Sequence, residues 1–143
     1  MRKKIISVVC FLLAVFVSHG IAADSASFFF LQLSDPQFGF MDNNKSISAE
    51  TEAMNKAVTA INQLKPPFVV ITGDFVNNSK SKEQIAAYKS MIAQIDSSVK
   101  VYMIPGNHDI GKVSRASIDN YKKNYGEPHF SFRYGDCAFI GID

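Results

Sequence analysis

Three short apolar runs alternate with amphipathic stretches along the chain. Phe28 to Leu33 is apolar except for one glutamine, the pattern of a strand buried on both faces. After a polar loop, Ser48 is placed to cap a helix. Glu50 and Glu52 stand in its first turn, where the helix dipole favours anions. Met54, Ala57, Val58, Ile61 and Leu64 then recur at helical spacing until Pro66-Pro67 stops the helix. Phe68 to Ile71 reads as a second buried strand. Ser81 with Gln84 forms a capping-box pattern, followed by a stripe of Ile85, Tyr88, Ile92 and Ile95. Val99 to Ile104 predicts a third strand, and Ser114 the cap of a third helix with Ile118, Tyr121 and Tyr125 on its inner face. His129 to Arg133 and Cys137 to Ile142 predict a hairpin turning at Tyr134-Gly135-Asp136. Strands alternating with helices imply right-handed crossovers and a parallel βαβαβ sheet, an α/β fold.

The first residues follow a different rule. Arg2, Lys3 and Lys4 precede the apolar run Ile5 to Val17, and small residues follow at Gly20, Ala22 and Ala23. That order predicts a secretory signal peptide over 1–23 and a domain over 24–143, exported to a periplasmic or extracellular space. The run is shorter than the roughly 20 residues of a membrane span, so no stable membrane association is expected after cleavage. Of the fifteen basic residues in the 143-residue chain, these three leave with the leader, so twelve face thirteen acidic ones and the charge turns from +2 to −1. Nothing in this balance suggests a nucleic-acid surface. Cys10 lies in the leader, and Cys137, in an apolar run, is expected to be buried. Asn44-Lys45-Ser46 and Asn77-Asn78-Ser79 match the glycan-acceptor pattern of a eukaryotic host.

The candidate chemistry lies at the strand ends. The first strand runs into Ser34-Asp35-Pro36-Gln37, the second into Thr72-Gly73-Asp74 and the third into Pro105-Gly106-Asn107-His108-Asp109. In a parallel sheet these loops share the carboxyl edge, where open α/β sheets bind ligands. An aspartate after a strand is often only a helix cap. Three polar residues directly after a buried strand have no ordinary packing use, and the conjunction at all three strand ends favours a site. Carboxylate and amide oxygens with a histidine nitrogen suit Mn, Fe, Zn or Mg. Two such ions can activate a water and clamp a phosphate ester.

These residues resemble the calcineurin-like metallophosphoesterase superfamily, whose blocks are Asp-x-His, Gly-Asp and Gly-Asn-His-Asp or Glu. They stand here as Asp35-Pro36-Gln37, Gly73-Asp74 and Gly106-Asn107-His108-Asp109. The run Ser34-Asp35-Pro36-Gln37-Phe38-Gly39 is similar to the calcineurin-like phosphoesterase domain-containing subgroup, some of whose members are protein phosphatases. The resemblance implies the N-terminal half of a four-layer α-β-β-α sandwich with two divalent metal ions. It implies Asp35 on the first metal, Asp74 bridging both, Asn107 on the second, His108 facing the substrate as general acid or phosphoryl stabiliser, and Asp109 orienting His108. Gln37 stands where most relatives carry a metal-binding histidine, and can bind through oxygen or hold a metal-bound water. The superfamily's later histidines have no counterpart here, and His19 and His129 fall outside the pattern. Two-metal hydrolysis of a phosphate ester is the leading expectation. A truncated, non-catalytic metal-binding remnant and a phosphodiesterase or nuclease of the same superfamily are the alternatives.

Overall fold

β-branched and aromatic residues concentrate in three runs, and each becomes a strand because its side chains pack on both faces of a pleated surface. In the computed structural model, which describes residues 27–143, these are β1 (Leu31–Ser34), β2 (Phe68–Thr72) and β3 (Lys100–Ile104). They pair in parallel in the order β1-β2-β3, with Leu31 beside Val69 and Val69 beside Val101. The central strand is the most buried, as its unbroken apolar run requires: Phe68, Val69, Val70 and Ile71 are all inside.

The first strand departs from expectation. It is an edge strand beginning at Leu31, and Phe29 and Phe30 are 50% and 40% exposed. Phe28 and Phe30 stand ahead of the ladder, which begins at Leu31, and their rings pack on neighbouring aromatic side chains. Phe30 stacks on Phe68 at 5.0 Å, and Phe28 meets Tyr134 edge-on at 4.8 Å. The predicted leader, 1–23, lies outside the described residues.

The helices are α1 (Ser48–Leu64), α2 (Lys82–Ile92), the single turn α3 (Asn107–Ile110) and α4 (Arg115–Tyr125). Helix α1 ends as expected: Lys65 turns left-handed, donates to the Ile61 carbonyl at 2.8 Å, and Pro66 follows. Its start differs. Ser48 is the first helical residue and Ile47 holds the cap position without a side-chain bond; Ser46 Oγ accepts from the Ser48 N–H instead. Only half of the Ser81–Gln84 capping box forms. Ser81 Oγ accepts from the Gln84 N–H at 3.3 Å, but the Gln84 side chain is drawn into the loops described below. At α4 the Ser114 hydroxyl and the Ser117 N–H pair as predicted.

Met54, Val58 and Ile61 of α1, Tyr88 of α2 and Tyr121 of α4 cover one sheet face and close on Val69 and Ile71. The other face carries the hairpin β4 (Phe130–Tyr134) and β5 (Cys137–Gly141). There Phe132 stacks on Tyr102 at 3.8 Å and on Phe139 at 5.0 Å, while Phe68 meets both Phe132 and Phe139. Helices, sheet and hairpin thus form layers in the expected α/β order. Cys137 is exposed, against expectation, because it pairs with Tyr134 at the hairpin tip, beside the two-residue turn.

Candidate metal centre at the carboxyl edge of the sheet

Parallel pairing brings the loops after β1, β2 and β3 to one edge, and backbone hydrogen bonds lock them together. Gln37 N–H donates to the Asp74 carbonyl at 2.8 Å, and Phe38 N–H to the Phe75 carbonyl at 3.1 Å. Gly73 N–H donates to the Ile104 carbonyl at 2.8 Å, and His108 N–H to Asp74 Oδ1, also at 2.8 Å. The chain is bent sharply here. Asp35 (φ 53°), Gln37 (φ 32°) and Asp74 (φ 44°) hold left-handed backbone. Such conformations cost non-glycine residues about 1–3 kcal/mol each and persist only where the surroundings impose them. Gly106 must be glycine for another reason: a Cβ there would collide with the backbone nitrogen and Oδ1 of Asp74.

The donors differ in what they have free. Asp74 is buried at 8% exposure and gives one oxygen to the His108 amide. Asp35 is exposed and bonded to the Ser34 hydroxyl. Gln37 donates its amide nitrogen to Asn77 Oδ1 at 3.3 Å, which turns its Oε1 free to accept or ligate. Asn107 opens α3 and is exposed. Among the described residues no three His, Cys, Asp or Glu side chains gather as a metal-binding group. Gln37 and Asn107 carry amide oxygens on the loops next to those of Asp35 and Asp74.

Asp109 does not take the predicted part. At 1% exposure its carboxylate hydrogen-bonds to backbone amides and not to the His108 ring. Its Oδ1 accepts from the N–H groups of Phe75 (2.8 Å) and Val76 (3.3 Å), and its Oδ2 from Gly106 N–H (2.9 Å). It therefore ties the loop after β2 to the loop after β3. Burial pushes its carboxyl up to about 6; the three N–H donors pull it down, and the nearby Asp74 carboxylate adds to the rise. The His108 ring is oriented instead by the Asn77 carbonyl, 2.9 Å from Nδ1. A carbonyl only accepts, so Nδ1 carries hydrogen and Nε2 is left free.

A chain of amides supports this loop, and the sequence did not reveal it. Asn44 Oδ1 accepts from both Asn77 Nδ2 and Gln84 Nε2, each at 2.9 Å, while Gln84 Oε1 accepts from Asn78 N–H at 2.8 Å. Asn77, read as a glycan acceptor, is thus a half-buried link between the β1 loop, the β2 loop and α2. The available signal was the density of Asn and Gln near the strand ends. Beside Asp35 and Gln37, a cavity of about 480 Å³ opens between the end of β1 and α1, floored by Leu33, Met54 and Ala57.

Comparison with known proteins bears on this edge. The family profile described as Calcineurin-like phosphoesterase matches residues 30–141. The serine/threonine-protein phosphatase CPPED1 of Bos taurus is 33% identical over 132 residues, covering 81% of this chain and 42% of that protein. Its Homo sapiens counterpart is 30% identical over 147 residues, covering 92% and 47%. The chain thus spans a little under half the length of these curated relatives. A solved dimetal phosphatase from Danio rerio shares 20% identity with a TM-score of 0.49, covering 69% of this chain and 34% of that one.

Proposed function

Because the chain belongs to the calcineurin-like phosphoesterase family, we propose that its carboxyl edge contributes to a two-metal centre that hydrolyses phosphate esters. The observation that carries the reading is Asp74, a buried carboxylate near the buried Asp109, at the point where the loops after β1 and β3 meet it through the Gln37 and His108 amides. Two such carboxylates repel in a poorly hydrated place, and a cation offsets that repulsion. Asp35, Asp74, Asn107 and Gln37 are the residues that would hold divalent ions, and their oxygens fit Mg, Mn, Fe or Zn. When bound, a metal pair supplies Lewis acidity and a nucleophilic water at neutral pH.

The chain's own residues supply the rest. His108 is held at Nδ1 by Asn77 and at its backbone by Asp74, so Nε2 can point to a leaving oxygen and, when the ring is protonated, give it a proton. CPPED1 is named a serine/threonine-protein phosphatase, which supports phosphorylated serine or threonine as the substrate class here. The basic start and apolar run over 1–23 support export.

Metal content and aryl phosphate hydrolysis of Asp74→Asn and His108→Ala, made in the complete gene product, test the assignment. Residues that only support a metal ligand are commonly worth about 10–100-fold in affinity or activity, so losing a carboxylate that would itself hold the ions should exceed that. His108→Ala should keep its metal while turnover falls by about 10²–10⁴. Near wild-type turnover in Asp74→Asn sinks the reading.

A further inference from the structure

One surface feature plays no part in the centre described above. A groove of about 670 Å³ runs between the start of α2 and α4, with Lys80, Lys82, Lys112 and Lys123 along it and Ile85 and Ile110 in its floor. No carboxylate lines it, although α2 carries Glu83 and α4 carries Asp119. Among the described residues the three salt bridges use Lys56, Lys65 and Lys122, so none of the four groove lysines is neutralised by a partner. Four like charges around one depression repel one another, and the arrangement favours a ligand that brings negative charge.

The groove adjoins the candidate centre on the side of His108. Gly111, which lines it, donates its N–H to the Asn107 carbonyl at 2.7 Å, so the groove begins one helical turn from Asn107. Ser79, on the opposite wall, lies two residues from Asn77, whose carbonyl holds the His108 ring. A peptide lying in this groove would end close to the loops that carry Asn107 and Asn77.

We propose that the groove binds an acidic peptide segment, the part of a phosphoprotein substrate next to the scissile phosphate. The inference rests on the phosphoesterase reading for its role but not for its binding. Four charges of one sign match a run of Asp and Glu, and the isoleucine floor suits apolar residues between them. Nucleic acid fits less well, because no aromatic side chain lines the groove to stack a base.

The test uses fluorescence anisotropy with a labelled Glu- and Asp-rich peptide that carries no phosphate, in EDTA, so that binding is read apart from the metal centre. The complete gene product should bind it, and neutralising two lysines (Lys80→Gln with Lys112→Gln) should weaken binding about 5- to 20-fold, as expected for exposed charge pairs. Added salt should weaken it further. Carbodiimide coupling of the peptide should mark Lys80, Lys82, Lys112 or Lys123 before Lys56, Lys89 or Lys100. Equal affinity of the double variant, equal affinity for a Gln- and Asn-substituted peptide, or equal affinity for single-stranded DNA of the same charge overturns the proposal. Loss of hydrolysis in Asp74→Asn with peptide binding intact leaves both readings standing. Peptide binding that survives a failure of the Asp74 test retains the groove and removes the catalytic reading.

Discussion

Asp109 offers the sharpest test of how this edge is built, because orienting His108 and clamping two loops predict different consequences of its loss. Its carboxylate receives two short backbone bonds, from Phe75 at 2.8 Å and Gly106 at 2.9 Å, and a longer one from Val76 at 3.3 Å, at 1% exposure. Bonds to a charged acceptor are worth about 1.5–3 kcal/mol, and a buried donor left unpaired costs about 1–3 kcal/mol. Against this stands the cost of burying the carboxylate itself, which its raised ionisation to about 6 records. With that offset, Asp109→Ala should lower the unfolding free energy by about 2–4 kcal/mol, a large share of the 5–15 kcal/mol typical of a domain. Asp109→Asn should lose less, since Oδ1 keeps its bonds to Phe75 and Val76. Its NH₂, however, would then face the Gly106 N–H, donor against donor. Urea unfolding followed by circular dichroism, in EDTA to remove any metal contribution, gives the midpoint and slope. An unchanged midpoint in Asp109→Ala would refute the clamp and return Asp109 to a purely catalytic role.

Three further outcomes follow from packing and charge. Phe68 is 1% exposed and its ring meets those of Phe30, Phe132 and Phe139, so Phe68→Ala should destabilise by about 3–5 kcal/mol in the same urea assay. Gln84→Ala removes the buried side chain that holds Asn44 and Asn78; a loss of about 1–3 kcal/mol and faster amide exchange at Asn78 are expected, and unchanged exchange would contradict the network. Asp96 is held down from 3.8 to about 2, first by the Ser98 N–H, then by the Ser98 hydroxyl and Lys65. A depressed carboxyl stabilises the fold above its unfolded value and loses that contribution as pH falls towards 2, so the urea midpoints of wild type and Asp96→Asn should converge across that window.

What was legible in the sequence is what neighbouring residues decide. The strands at Phe68 and Val99 and the stop at Pro66 follow from local apolar runs and backbone chemistry. That the loops carrying Asp35, Asp74 and His108 share one edge follows from parallel pairing alone. What was not legible depends on partners far along the chain. Asp109 looked like a helper of its neighbour His108, but its partners are backbone amides 33 and 34 residues earlier. Asn77 looked like a surface acceptor until Asn44 and Gln84 were brought to it. Phe28 and Phe30 read as strand, but the partner strand β2 begins at Phe68 and pairs first with Leu31 at Val69, so they stand ahead of the ladder.

The same distinction explains why the edge holds its shape although its chemistry sits in loops. Asp74 has a left-handed backbone and a buried charge, and each is costly alone. The fold balances them through main-chain contacts that do not depend on flexible side chains. The Asp74 carbonyl accepts from Gln37, its carboxylate from the His108 amide, and bare Gly106 lies against it. Asp109 then fixes the Gly106 side of that contact from behind. Left-handed turns at Asp35 and Gln37 bring the β1 loop to the main-chain carbonyl of the same residue. Three loops thus meet on one residue, and a shift in any of them moves the Asp74 carboxylate.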